Sequence, residues 1–255
     1  MSDKNPMKNK FRKAILTGLN GTIGPVLAKR LQKENVEVLG WDRKAVPVDD
    51  AERGDEFVAR EAPDLIVHLA MGDPAWAGNL AALAAKRGIG FLYTSSVSVF
   101  DGSQSGPFSP DKLPDATDDY GRYKAECERR VLESNSNACI ARLGWQIGDR
   151  PGSNNMVDFL SRQHEENGSI AASARWFPSC AFLEDTVDGL WHLISACEPA
   201  IYHLEGNDGC SFFEIATGLN RILHCNWSIT ETSDPATDIR MLDHRIRLSP
   251  VSRRF

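Results

Sequence analysis

The chain has 255 residues, 42% of them hydrophobic and 25% charged, an ordinary globular composition with room for one large domain, or one plus a smaller one. Its net charge of −6 at pH 7 argues against general nucleic-acid binding and against docking on anionic lipid. No run approaches the ~20 apolar residues of a bilayer span, and the charged start MSDKNPMKNKFRK lacks the apolar stretch of a secretory signal.

Residues 1–10 read as a flexible basic tail. Ala14–Thr17 is a short apolar strand that ends in glycine, and Pro25–Lys33 has helical apolar spacing. Val36–Gly40 is a second strand, Phe57–Arg60 the end of a helix, and Leu65–Ala70 a third strand. Asn79–Arg87 is an Ala/Leu helix stopped by Gly88, followed by a strand over Ile89–Thr94. Tyr120–Glu133 is helical and Ala138–Leu143 is again a strand. Strands without polar alternation are buried on both faces, so the sheet is parallel and the fold a doubly wound α/β type.

After Trp145 the pattern loosens. Asp149–Asn155 is a loop, Met156–His164 a helix, and Ala171–Pro178 irregular. Val187–Cys197 reads as a helix returning to the main sheet, Phe212–Leu223 as a further helix, and the stretch from Glu231 onward shows no element. The expected organisation is a Rossmann-type domain over 11–147, with 181–203 returning to it. Residues 148–180 and 204–255 form a smaller, interleaved cap. The six cysteines (127, 139, 180, 197, 210 and 225) make no CxxC pair and have no histidine at zinc spacing. No metal site is expected, and reduced thiols in a cytoplasm are the simplest reading.

Thr17-Gly18-Leu19-Asn20-Gly21-Thr22-Ile23-Gly24 spells TGxxGxxG directly after the first strand and at the start of the first helix. In that context the glycines serve a tight turn, a close backbone approach to pyrophosphate, and close helix–strand packing. The helix N-terminus then offers N–H groups and positive dipole to phosphate. Asp42, 18 residues after Gly24, stands where a carboxylate would hold an adenosine ribose and favour NAD; Arg43 beside it would instead suit a 2′-phosphate. NAD is placed slightly ahead of NADP.

Tyr120-Gly121-Arg122-Tyr123-Lys124 puts a phenol and an ammonium one helical turn apart. A lysine charge there is expected to lower the phenol pKa and fit Tyr120 for proton transfer. Ser95 and Ser96 end the preceding strand on the side where a parallel sheet binds ligands, and a hydroxyl there would polarise a carbonyl. His68, inside PDLIVHLA, reads as a buried, hydrogen-bonded histidine, and the other five histidines carry no expected role.

These motifs — TGLNGTIG, Asp42, PDLIVHLA, SSVSVF and YGRYK — together resemble the extended short-chain dehydrogenase/reductase family. In that family the active Ser or Thr stands three positions before a Val-Tyr/Phe pair, so Val99-Phe100 selects Ser96. Within the family the chain is most similar to the dTDP-4-dehydrorhamnose reductase branch, through Arg142-Leu143-Gly144-Trp145, Ser153-Asn154-Asn155-Met156, Trp176-Phe177-Pro178-Ser179 and Ile201-Tyr202-His203-Leu204. The resemblance implies Ser96, Tyr120 and Lys124 as catalytic residues. Cofactor contacts are expected from Gly18, Asn20, Gly21, Thr22, Ile23, Gly24, Asp42, Arg43, Asp49, Leu69, Ala70 and Met71, with Tyr120 and Lys124. Substrate contacts are expected from Ser96, Trp145, Asn155, Phe177 and Pro178. Two departures stand out: only Met71–Gly78 separates Ala70 from the next helix, where the branch carries a longer stretch, and the branch's Arg-Pro is not clear in Ile239-Arg240-Met241-Leu242.

The resemblance implies an NAD(P)-dependent reductase of a nucleotide-linked 4-keto sugar, from a family that often forms homodimers, although the sequence shows no uniquely exposed apolar face for one. One alternative is an NAD-dependent nucleotide-sugar epimerase or dehydratase using the same Ser/Tyr/Lys set. The other is a non-catalytic NAD(P)-binding regulatory subunit, which the shortened segment after Ala70 keeps open.

Overall fold

The computed structural model describes residues 11–255, so the expected tail at 1–10 lies outside the described residues. In chain order, β1 (Lys13–Thr17), α1 (Gly24–Lys33), β2 (Glu37–Gly40), α2 (Ala51–Glu61), β3 (Leu65–His68), α3 (Pro74–Arg87) and β4 (Gly90–Ser96) come first. Next are α4 (Asp119–Ser134), β5 (Cys139–Leu143), β6 (Trp145–Ile147), α5 (Met156–Asn167), β7 (Ile170–Ser173), β8 (Trp176–Phe177) and β9 (Cys180–Phe182). The chain finishes with α6 (Leu183–Ala196), β10 (Ile201–Leu204), α7 (Phe212–Leu223), β11 (Ile229–Thr232) and β12 (Thr237–Asp238).

Six strands form one parallel sheet in the order β10-β5-β4-β3-β1-β2, a Rossmann-type arrangement. Alternate strand residues feed two cores. Leu16, Val67, Leu92 and Ala141 pack with Leu27 and Leu31 of α1 and Leu190 and Leu193 of α6. Ile15, Ile66, Phe91 and Ile140 pack with α2, α3 and α4 through Phe57, Leu80 and Val131. Both faces are therefore covered, which is why the strands read as apolar runs. A third core joins Ile147, Leu160, Phe182, Phe212 and Leu219, outside that sheet.

Helix ends follow local chemistry. Asp50, Asp73, Asp118, Asn155 and Ser211 each cap a helix with a side-chain oxygen, and Gly88 ends α3 at φ 63°. Two stretches differ from expectation. Ala171–Pro178 is not irregular: β7 pairs with β11 and β8 with β12, both in parallel. The region after Glu231 likewise holds strand, and its partners lie some sixty residues upstream, beyond the reach of local periodicity.

At Gly24 a first side-chain carbon would meet the Gly18 carbonyl oxygen at 2.3 Å and Leu19 Cα at 2.7 Å. Gly24→Ala is therefore expected to destabilise the fold by about 3 kcal/mol, read from urea unfolding, because backbone rather than a flexible side chain must move. A loss under about 1 kcal/mol would show that the turn yields freely.

Candidate active site

The carboxyl ends of the sheet strands open into a cleft of about 570 Å³. Gly18, Gly21, Thr22, Ile23, Gly24, Leu69, Met71, Ser96, Tyr120, Lys124, Trp145 and Pro178 all line it, so much of the predicted set meets in one place.

The glycine turn fits a phosphate. Gly18 takes the left-handed conformation (φ 74°) and packs against the Ala70 backbone. Helix α1 begins with Ile23 at its N-cap and no side-chain cap, has Pro25 in its first turn, and carries no acidic residue there. Its first N–H groups are thus left for an anion. Thr17 anchors this turn to β3. Its Oγ1 accepts the N–H groups of Leu69 (3.0 Å) and Ala70 (3.1 Å), so its own proton goes to His68 Nδ1 at 2.8 Å. His68 is buried and neutral, its pKa pushed down to about 3 by burial and by the charges of Lys124 and Arg43. It lies edge-on to Trp76 and stacked on Tyr93.

Ser96 closes β4, paired with Leu143 of β5. Its hydroxyl lies 3.1 Å from Ser98 Oγ and accepts the Ser98 N–H at 3.1 Å. Tyr120 enters beside it because Gly121 lets α4 run tightly against the following turn; a side-chain carbon there would sit 2.0 Å from the Ser98 carbonyl oxygen. Lys124, 4% exposed, donates to the Thr94 carbonyl at 3.0 Å and lies 6.0 Å from the Tyr120 ring centre.

The electrostatics correct one expectation. Burial in the cleft wall raises the Tyr120 pKa even though the residue is 45% exposed; a hydrogen bond with Ser96 lowers it and the Asp118 charge raises it further. Lys124 does not depress the phenol. Burial pulls the lysine itself down to about 8, against the opposing influence of Cys127 and Glu128, so its own charge is costly here. A phenol held protonated suits a proton donor rather than a base.

Other predicted residues lie off the cleft wall. Asn20, Asp42 and Asp49 are exposed, and Ala70 is buried. The Asp42 carboxylate accepts the Lys44 N–H at 2.9 Å. Arg43 donates to the Met71 carbonyl and lies 5.0 Å over the Trp76 ring. Phe177 sits beneath the Arg240 guanidinium at 5.3 Å. Asn155 spends its side chain capping α5 and bonding Arg150 and Ser153; it is the preceding Asn154 that reaches the cleft.

The sequence reading missed several residues. Thr94, Gln146, Trp176, Ser179 and Ile239 also line the cleft. It missed a buried network too. Arg142 grips Glu128 of α4 through Nε and Nη2 at 2.9 and 2.8 Å, and its Nη1 donates to His203 Nε2 at 3.3 Å. His203 Nδ1 in turn donates to the Phe108 carbonyl at 3.1 Å. The His203 pKa falls to about 4, mainly by burial and then by the Arg142 charge, so the ring stays neutral. The available signal was an arginine inside an otherwise apolar strand, since such a charge needs a buried partner.

Comparison with known proteins places the fold. The dTDP-4-dehydrorhamnose reductase of Bacillus anthracis, solved with NADP, superposes with a TM-score of 0.81 at 22% identity, over 95% of this chain and 96% of that one. The enzyme WbmH of Bordetella bronchiseptica, solved with NAD+, gives 0.77 at 19% identity, over 95% of each chain. Methionine adenosyltransferase 2 subunit beta of Xenopus tropicalis is 28% identical over 240 residues, 82% of this chain and 71% of that protein. The family model described as the RmlD substrate binding domain matches residues 74–237, from α3 to the start of β12, and the chain belongs to that family.

Proposed function

We propose that the protein is an NAD(P)-dependent reductase of a nucleotide-linked 4-keto sugar. The observation that carries this reading is the meeting of Ser96, a protonated Tyr120 and Lys124 with an uncapped glycine-turn helix in one cleft. The family match and the likeness to a dTDP-4-dehydrorhamnose reductase support it.

The turn at Gly18–Gly24 would hold the pyrophosphate, and Lys124 the ribose next to the nicotinamide. When bound, the nicotinamide supplies the hydride. Ser96 hydrogen-bonds the substrate oxygen and holds it as charge develops. Tyr120 Oη then gives its proton to that oxygen. Trp145 and Pro178 enclose the sugar.

At the adenosine end we favour NAD. Arg43 is already committed to the Met71 carbonyl and the Trp76 face, whereas Asp42 presents a carboxylate. Asp42→Ala is expected to weaken NADH binding about tenfold by removing a charge-assisted bond, while NADPH binding holds or improves. Fluorescence titration of both cofactors checks this; an unchanged NADH affinity would remove Asp42 from the site.

The reading is tested by adding a nucleoside diphosphate 4-keto-6-deoxyhexose to protein and NADH or NADPH and following absorbance. Consumption of stoichiometric and then excess reduced cofactor supports the reductase. Protein that arrives with NAD tightly held and shows no net consumption points to the epimerase or dehydratase. The likeness to a methionine adenosyltransferase subunit favours a second reading, a non-catalytic subunit. Cofactor binding without any turnover would favour that reading, but the complete Ser/Tyr/Lys set speaks for catalysis.

A further inference from the structure

The turn after β10 reaches several walls of the cleft at once. Leu204 ends β10 in the main sheet, and the side chain of the next residue, Glu205, meets three separate stretches of backbone. Its Oε1 accepts the N–H groups of Cys180 at 3.2 Å and Asn207 at 2.7 Å. Its Oε2 accepts the Met241 N–H at 2.8 Å. An ionised carboxyl is acceptor-only, so three converging N–H donors suit the charged form.

These bonds hold parts of the cleft. Cys180 opens β9 directly after Pro178 and Ser179, both of which line the cleft. Asn207 Nδ2 donates to the Pro178 carbonyl at 2.8 Å, and the Gly206 N–H to the Cys180 carbonyl at 3.0 Å. Residues 178–180 are thus bracketed by a turn that grows out of the main sheet. Met241 lies two residues after Ile239, another lining residue. The stretch 237–242 is a ribbon bonded along both edges. On one, β12 pairs with β8, and the Ile239 N–H donates to the Phe177 carbonyl at 3.0 Å. On the other, the Phe108 N–H donates to the Arg240 carbonyl and the Leu242 N–H to the Phe108 carbonyl, each at 2.8 Å. Phe108 belongs to the connection between Ser96 and Tyr120, so the ribbon joins the sugar side of the cleft to the catalytic side.

We infer that Glu205 is a positioning residue, which ties the wall formed by Pro178, Ser179 and Ile239 to the main sheet and so sets the affinity for a sugar bound against it. That the wall faces a sugar rests on the nucleotide-sugar reading.

The clasp carries its own pH signature. Burial pushes the Glu205 pKa up to about 7, although the Met241, Asn207 and Cys180 N–H groups pull it down. With Oε1 held by two donors, a proton added below that pH goes to Oε2 and faces the Met241 N–H, donor against donor. The groups around it do not share this transition. Cys180 on β9 and Cys210 in the turn are pushed up by burial and stay neutral. Asp208 is held low against burial by Ser252, and Asp238 against burial by Arg240, whose own pKa is raised by that bond. On β10, burial keeps His203 neutral, and beyond it Asp243 is held low against burial by Arg245. Glu205 alone among them changes charge near neutrality.

Calorimetric titration with dTDP-glucose and with NADH tests the inference on wild type and Glu205→Gln, at about pH 6 and about pH 8. dTDP-glucose is redox-inert, and its phosphates do not titrate in that interval. Glutamine keeps the shape and the Oε1 acceptor but turns an NH2 toward the Met241 N–H, as the protonated carboxyl does. At the higher pH the variant should bind dTDP-glucose about tenfold more weakly than wild type, with NADH affinity within about twofold. Wild type should lose about fivefold in dTDP-glucose affinity at the lower pH, as a group titrating near 7 dictates, and the variant should lose none. Hydrogen exchange reads the same event in wild type alone: protection of the peptide holding Met241, corrected for intrinsic rates, should fall at the lower pH. Unchanged protection overturns the inference, as does a variant that binds dTDP-glucose like wild type. A pH loss that persists in the variant assigns the titration to another group, and an equal fall in NADH affinity makes Glu205 a general packing residue; either sinks the proposal. So does a wild type that binds no dTDP-glucose, since the wall then positions no sugar. Because neither readout needs hydride transfer, a wild type that shows this pH dependence but fails to oxidise NADH counts against the reductase reading and leaves Glu205 in its role.

Discussion

Tyr120→Phe is expected to lower kcat about 100- to 10,000-fold, the usual worth of a positioned general acid, while NADH affinity stays within about twofold. The variant removes one oxygen from a ring that is 45% exposed, so folding should be unaffected. Stopped-flow turnover and cofactor titration on the same preparation check both halves. Loss of cofactor binding in step with kcat would mean that Tyr120 acts as a packing residue. The pH profile follows from the shifts. Since the Tyr120 pKa is raised, its donor proton persists through neutral and mildly alkaline solution. Lys124, at about 8 in the free enzyme, keeps its charge below that pH and loses it above. kcat/KM, which reports free-enzyme ionisations, should therefore decline from near pH 8 upward. That limb should vanish in Lys124→Met, leaving a lower and flatter profile.

The largest expected stability effect lies at Glu128 and Arg142, whose side chains are 4% and 1% exposed. Removing one partner strands a buried charge, so Arg142→Met or Glu128→Leu alone should cost about 3–5 kcal/mol. The double replacement should recover much of that loss, because two apolar side chains need no compensation there. Urea unfolding of the four proteins gives the cycle. A double variant as unstable as the sum of its parts would show no energetic coupling between the two side chains and overturn this account. Activity adds a further readout. Glu128 lies on the same face of α4 as Tyr120 and Lys124, at steps of four residues, and Arg142 reaches from it to His203 and the backbone of Lys112. The pair thus fastens the helix to the long connection between Ser96 and Tyr120. If the double variant folds stably yet loses kcat, the ion pair holds catalytic geometry.

What could be read in the sequence was what chemistry places close together along the chain. Thr17 to Gly24 is one turn, and Tyr120 to Lys124 is one helical step, so both motifs carried their own geometry. Five of the six parallel strands were legible as short apolar runs, four of them buried almost throughout, while Ile201–Leu204 was legible only through the family resemblance. What depended on distant partners was not legible. The ion pair joins positions 128 and 142, and β7 waits for β11. The expected direction for Tyr120 failed for a similar reason. The spacing placed a lysine near the phenol, but each group's own burial, for Lys124 against Thr94 and Tyr93, is the largest influence on its pKa, and spacing does not report burial. The family motif points to Asn155 as a substrate contact because a motif marks a neighbourhood; which of two adjacent amides caps the helix is settled by backbone direction, and Asn154 is the one that lines the cleft.

The position of β10 bears on how the protein is made. β5 pairs with β4 on one side, but its other edge waits for Ile201–Leu204, after residues 144–200 have been laid down. A ribosome must therefore reach residue 204 of 255 before the sheet is complete. Until then Cys139–Leu143, wholly buried in the finished molecule, is an open apolar edge able to pair with a second nascent chain. Early translation pauses or premature stops between β5 and β10 should consequently yield aggregates rather than a small soluble nucleotide-binding fragment, and the burden on chaperones falls on this interval of synthesis.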